Sequence, residues 1–384
     1  MSTWRRGPAI ALAVATLASG GSWADVAIEQ VTTAKLAPAT PHRVYVTDVA
    51  ISHIVDGRVH VVDGDSLKYL GMIASAYAGQ TTLSQDGREF YVATTYYSRL
   101  SRGERTDVVD IYDTATLAQV GEIPIPPKHA QALNYKGILR TTRDGRFLLV
   151  QNATPATSVS VVDLKARKFV AEIPTPGCWT VIPSQSAPQR FAALCGDGSL
   201  LVVTLDGDGR QAKMARSAKF FDPDDDPLFV QSENLGDEHL FVSFKGKVYS
   251  ADLSQETPRF GSPWSLVTPA EAKKNWRPGG YQPIAVHRGT HRLFVTMHPN
   301  GKEGSHKDPA QEIWVFDFDS KARIQRVKGA NAVSISASQD DKPLLFALDG
   351  KNMGLVVFEA ANKLVQKRRL DPLAETAFLL ETQP

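Results

Sequence analysis

The sequence predicts an all-β fold, a seven-bladed β-propeller of four-stranded antiparallel blades occupying residues 25–384 as one domain. Three observations predict it. A β-branched run ending in Asp or a relative, followed by a polar turn and a second short strand, recurs seven times along the chain. Between the copies runs a second pattern, a turn with Asp-Gly or an equivalent followed by an apolar strand. The landmark aspartates Asp63, Asp113, Asp163, Asp206, Asp252 and Asp317 have a typical spacing near fifty residues, the period of a four-stranded repeat.

In chain order, residues 1–24 are expected to lie outside the fold. Trp4-Arg5-Arg6 opens a positive start, residues 8–18 form an apolar core too short to anchor in a bilayer, and Ser22-Trp23-Ala24 offers a small-x-small cleavage site before Asp25. This reads as a secretory leader cleaved after Ala24, and it places the mature chain outside the cytoplasm. The first pattern then appears at 58–73 (RVHVVDGDSLKYLGMI), 108–123, 159–173, 200–210, 247–261, 313–327 and 355–369. The second appears at 83–94 (LSQDGREFYVAT), 141–152, 186–195, 235–244, 288–297 and 338–349. The fourth and seventh copies of the first pattern are the weakest, which leaves six and eight blades open on sequence alone. Cys178 and Cys195, an even pair in an exported chain, predict a disulfide within one blade. The wide gap between Asp252 and Asp317 predicts an insertion, in which the capping box Thr268-Pro269-Ala270-Glu271 opens a short helix running through Trp276.

Charge and motif content exclude several functions. Lys and Arg number 43 against 41 Asp and Glu, and loss of Arg5 and Arg6 with the leader leaves the remainder formally neutral, so no basic field exists to hold nucleic acid. Neither a P-loop nor a G-x-G-x-x-G occurs, no C-x-x-C is present, and no nucleophile-elbow context marks a hydrolytic triad. His287, His291, His298 and His306 crowd one region, but their spacing does not put three ligands on one side of one strand, so no metal site is expected. Asp222–Asp226 reads as a solvated acidic turn, and Tyr91, Tyr96 and Tyr97 read as packing.

Longer stretches carry a resemblance. RLSRGERTDVVDIYD (99–113), LRTTRDGRFLLVQNATPATSVSVVD (139–163), GCWTVIP (177–183), KNWRPGGY (274–281) and MHPNGKEGSHKDPAQEIWVFD (297–317) closely resemble the large subunit of quinoprotein amine dehydrogenases, nearer to aromatic amine dehydrogenase than to methylamine dehydrogenase. The resemblance covers essentially the whole mature chain and implies a seven-bladed propeller. It implies a periplasmic complex of two large and two small chains that oxidises a primary, aromatic amine to aldehyde and ammonia. Electrons would pass to a blue copper protein of the azurin or amicyanin kind. The cofactor, tryptophan tryptophylquinone, would be carried with the catalytic base by a cysteine-rich small subunit, leaving no catalytic residue, cofactor or metal in this chain. GMIASAYAGQ (71–80) matches the family segment whose aromatic residue, usually phenylalanine, protrudes toward the quinone pocket; here it is Tyr77, expected in the substrate channel. The alternatives are a free-standing exported propeller that binds a ligand or protein by itself, and a propeller lactonase, which would need metal.

Overall fold

The computed structural model describes residue 32 and residues 34–384, so the secretory leader lies outside the described residues. The two repeat patterns turn out to be neighbours in the same sheets. β1 (Arg43–Asp48), β2 (Gly57–Asp63), β3 (Tyr69–Leu83), β4 (Glu89–Arg99), β5 (Arg102–Asp113) and β6 (Gln119–Ile125) follow one another in a seven-stranded antiparallel sheet, whose outer place beside β1 is taken by Ala377–Thr382 from the far end of the sequence. β3 belongs to both halves of this sheet. Tyr69 to Ala76 pair with β2, and Tyr77 to Leu83 pair with β4.

Five further antiparallel sheets follow, three of four strands and two of five. One five-stranded sheet splits its last strand into Arg259–Phe260 and Trp264–Ser265, and the other splits its first into Arg277–Pro278 and Ile284–His287. The first sequence pattern supplies the third strand of each repeat and the turn into the fourth, and the second pattern supplies the second strand.

The recurring aspartate has a local task. Asp63 Oδ1 accepts the backbone N–H and hydroxyl of Ser66 at 2.7 and 2.8 Å, and Asp113 Oδ1 accepts those of Thr116, both at 2.8 Å. Asp317 holds Ser320 in the same way. Each carboxylate closes a turn between a third and a fourth strand, the local side-chain-to-backbone bonding for which Asp is favoured in turns.

Apolar clusters fill the space between sequence-adjacent sheets. Phe147 and Val161 of one sheet pack with Phe191 and Val203 of the next, and Val333, Phe346 and Val357 of the last sheet pack back on Val44 and Val46 of β1. Ala377–Thr382 joins this contact: buried Asp48 accepts the N–H groups of Glu375 and Thr376 at 2.7 and 2.8 Å, and the Tyr45 hydroxyl donates to Gln383 at 2.9 Å. A nearly all-β chain whose last strand completes the sheet of its first, with sheets stacked in order around it, is consistent with a propeller.

The helix is shorter than expected. Pro269–Lys273 (α1) carries the capping box, but Asn275 takes a left-handed φ of 51°, and the N–H groups of Asn275 and Trp276 bond back to Ala272 and Glu271 at 2.9 and 3.1 Å. That is the Schellman arrangement, and it ends the helix before Trp276. No helix of the described residues is long and apolar enough to cross a membrane.

Cys178 and Cys195 face each other in register on adjacent strands, both buried, and form a disulfide. Cys195→Ser is expected to lower stability by about 2–5 kcal/mol. A urea midpoint equal to wild type, measured on protein whose wild-type bridge is confirmed by non-reducing peptide mapping, would refute this.

Candidate functional site

Tyr77 stands where β3 changes partners. The register slips between Tyr77 and Gln80, and Ala76 and Ala78 take left-handed φ values of 49° and 51°. Such a conformation costs a non-glycine residue of order 1 kcal/mol or more, so the surroundings must hold it. Thr94 does part of this: its hydroxyl lies 2.9 Å from the Ser75 carbonyl and 3.1 Å from that of Tyr77. Gly79 does the rest, because a Cβ there would stand 2.0 Å from the Ser75 oxygen. The bulge brings the half-buried Tyr77 ring edge-on to Tyr97, with centroids 5.4 Å apart at 83°.

Beneath these rings lies a polar network, buried at Thr95, Asp107 and His129, that neither repeat pattern reveals. Gln131 donates to the Tyr97 hydroxyl at 3.3 Å and to the Thr95 hydroxyl at 2.9 Å. Thr95 in turn donates to Asp107 at 2.8 Å. Arg105 grips Asp107 with two bonds of 2.7 Å, and His129 Nδ1 lies 2.8 Å from the same carboxylate. A carboxylate only accepts, so Nδ1 carries the proton; Nε2 of this fully buried ring has no partner among the described residues. Burial alone would raise the Asp107 pKa, but the bonds from His129 and Arg105 outweigh it and hold the carboxyl at about 2. Asp107 is therefore an anion at neutral pH and fixes the strand ends that carry Tyr97.

Tyr77 opens the half of β3 that pairs with β4, on the end of the fold built by loops that enter first strands or join second strands to third. The same end holds a cavity of about 960 Å3 lined by Tyr135, Trp179, Phe229, Phe244 and Tyr281, with Arg277 lying 4.5 Å over the Phe244 ring. Trp179 follows the bridged Cys178 in its strand and pairs with Leu194. Aromatic surface thus concentrates around this end.

The three tyrosines read as packing divide. Tyr91 is buried, with its hydroxyl donating to Glu89 at 2.7 Å, and Tyr96 donates to Asp110 at 2.6 Å, but Tyr97 belongs to the Tyr77 site. The four crowded histidines have separate partners: His287 bonds Thr290 and the Asp340 carbonyl, His291 faces Asp319, His298 faces the Pro299 carbonyl, and His306 stacks edge-on to Phe244. Asp226 of the acidic turn is buried and ties Ser243 and the Lys245 N–H at 2.8 and 2.7 Å.

Residues 40–382 match the family model of the methylamine dehydrogenase heavy chain. The chain belongs to that family. The methylamine dehydrogenase heavy chain of Methylophilus methylotrophus is 32% identical over 361 residues, covering 92% of this chain and 87% of the relative. Those of Methylobacillus flagellatus and Paracoccus versutus are 30% and 31% identical, over 84% and 83% of this chain and 80% and 74% of their own. The large-subunit resemblance of the sequence is therefore correct at the level of the amine dehydrogenases. Among solved structures, the fold is similar to dihydro-heme d1 dehydrogenase NirN (TM-score 0.60, 17% identity, 92% of this chain and 77% of that one). It is also similar to the β-propeller domain of Myceliophteria thermophila Cps50 (TM-score 0.52, 11% identity, 83% and 95%).

Proposed function

We propose that this chain is the large subunit of a periplasmic tryptophan tryptophylquinone amine dehydrogenase, a seven-bladed propeller over residues 25–384 that houses a small catalytic subunit and lets it oxidise primary, aromatic amines. The blade count is supported by treating β3 as the last strand of one blade and the first of the next, which divides the seven-stranded sheet into two groups of four. The observation that carries the function is Tyr77, set at the edge of the Ala76–Gly79 bulge against Tyr97 on the aromatic end of the fold.

The cofactor does not fit within this chain. Of the described tryptophans, Trp276 and Trp314 come closest, at 5.2 Å between centroids, but Trp314 is fully buried and Arg326 stacks on both, so no amine can reach them. A quinone that accepts an amine's electrons belongs on the partner. This chain's share is positional. Tyr77 shapes the channel mouth against the organic tail of the amine, Tyr97 braces it, and the ionised Asp107 network keeps that brace rigid. An enclosing aromatic wall excludes water and so strengthens the electrostatics of the reacting site. Electrons would leave to a blue copper protein.

Purification from the native periplasm tests the reading. Quinone absorbance is expected to arrive only with a small cysteine-rich chain, and this chain expressed alone should neither absorb there nor oxidise tyramine or phenylethylamine. Turnover by this chain alone would overturn the assignment, and purification as a lone ligand-binding chain would favour the free-standing alternative.

A further inference from the structure

At the end opposite Tyr77, where first strands turn into second strands, a cavity of about 450 Å3 opens among the first strands of the sheets, from Thr82 and Arg140 through Thr180 and Glu233 to Val286 and Glu381. Its two acids are already engaged. Glu233 accepts from Lys136, and Glu381 accepts from Arg140 at 3.1 Å. These pairs cross the interior and leave two further guanidiniums, Arg143 and Arg288, at the mouth. Among the described residues neither forms an ion pair. Arg143 donates only to the Gln85 amide oxygen, at 3.0 Å, and the Arg288 guanidinium donates to nothing. Both are open to solvent by area. Arg288 nevertheless sits far enough into the concave mouth that lost hydration lowers its pKa, and the like charge of Arg143 lowers it further against the pull of Glu233.

Three polar groups deeper in the wall are also unsatisfied, the first being Glu381 Oε2, the oxygen that Arg140 leaves free. The Thr180 hydroxyl and His239 Nε2 are buried and have no partner among the described residues. Burial holds His239 neutral, with a pKa of about 4, so its unpartnered Nε2 can accept a hydrogen bond. The cavity thus offers two planar cationic forks, a neutral hydroxyl and two acceptors, one of them on the Glu381 carboxyl, whose pKa burial pushes up. Guanidiniums grip oxyanions through paired N–H bonds, and an oxyanion that retains one O–H would also satisfy an acceptor.

We propose that this cavity is a binding site for a small oxyanion of the phosphate type, held at the mouth by Arg143 and Arg288, with Thr180 donating and His239 accepting further in. The proposal does not depend on the amine dehydrogenase reading, since it concerns binding alone. Inorganic phosphate titrated calorimetrically into the assembled protein at fixed ionic strength tests it. One saturable site per chain is expected, with sulfate competing and chloride not. Arg143→Gln and Arg288→Gln should each weaken binding by about tenfold or more, and the double variant should abolish it, while Arg210→Gln, on an exposed turn elsewhere, should leave it unchanged. Circular dichroism confirms that the variants are folded. Failure of the wild type to take up phosphate saturably, or retention of uptake by the folded double variant, would overturn the proposal.

Discussion

Asp107→Ala is expected to destabilise the fold by about 3–5 kcal/mol, the range for removing one partner from a buried ion pair. The carboxylate is fully buried and receives bonds from Arg105, His129 and Thr95, so its removal leaves a buried imidazole N–H, a hydroxyl and a guanidinium without their acceptor. The pH dependence follows from the direction of the shift. Because the folded carboxyl is held at about 2, below its ordinary 3.8, its contribution is fully present above about pH 4 and disappears as pH falls through 2. That difference is worth roughly 2 kcal/mol at neutral pH. Urea midpoints for wild type and variant should therefore be far apart at pH 7 and closer together near pH 2. Parallel curves over that range would mean that the ionised form has no special stabilisation, and equal midpoints at pH 7 would remove the network from the stability of the fold.

Tyr77→Ala in the assembled complex should change the ratio of kcat/KM between an aromatic and a short aliphatic amine by roughly tenfold or more. A methylene-sized change in an apolar pocket already shifts discrimination by about 1–3 kcal/mol. On the proposed reading the effect should fall on discrimination, because the ring, packed edge-on to Tyr97, would meet the substrate's organic tail while the reacting atoms would belong to the partner. Among the described residues the Tyr77 hydroxyl bonds no protein group, so Tyr77→Phe should move the ratio less than Tyr77→Ala. Unchanged preference in a normally assembled Tyr77→Ala complex would make Tyr77 a packing residue and withdraw it from the channel.

The third and fourth strands were legible because a chemical device repeats with them: Asp63, Asp113 and Asp317 each close the same turn, and the turn residue is visible in sequence. The first strands carry no such device. Leu139–Thr141 and Glu233–Leu235 are three residues long, and Ile284–His287 is separated from its companion segment by a bend, so periodicity has too little length to act on. Ala377–Thr382 matches neither pattern because its partner lies more than 300 positions away. At the site, resemblance singles out Tyr77, but Tyr97 reads from sequence as packing, and Gln131 and His129 carry no signal. They come together only because the long β4–β5 hairpin and the loop before Leu139 converge on Asp107. A single aspartate within a strand looks like any other until three elements are seen to meet on it.

The pairing of Ala377–Thr382 with β1 bears on how the protein is made. Synthesis runs from the amino end, so β1 emerges early and must wait for almost the whole chain before its neighbour exists. Throughout that interval its edge is an open row of N–H and C=O groups, able to join any stray strand. Contacts this distant in sequence also form slowly. A copy cut short anywhere before residue 377 keeps that edge exposed for good, whatever the state of its other sheets. The pairing of Ala377–Thr382 thus covers the one edge of β1 that β2 leaves open, and its loss would turn a paired strand into a template for association.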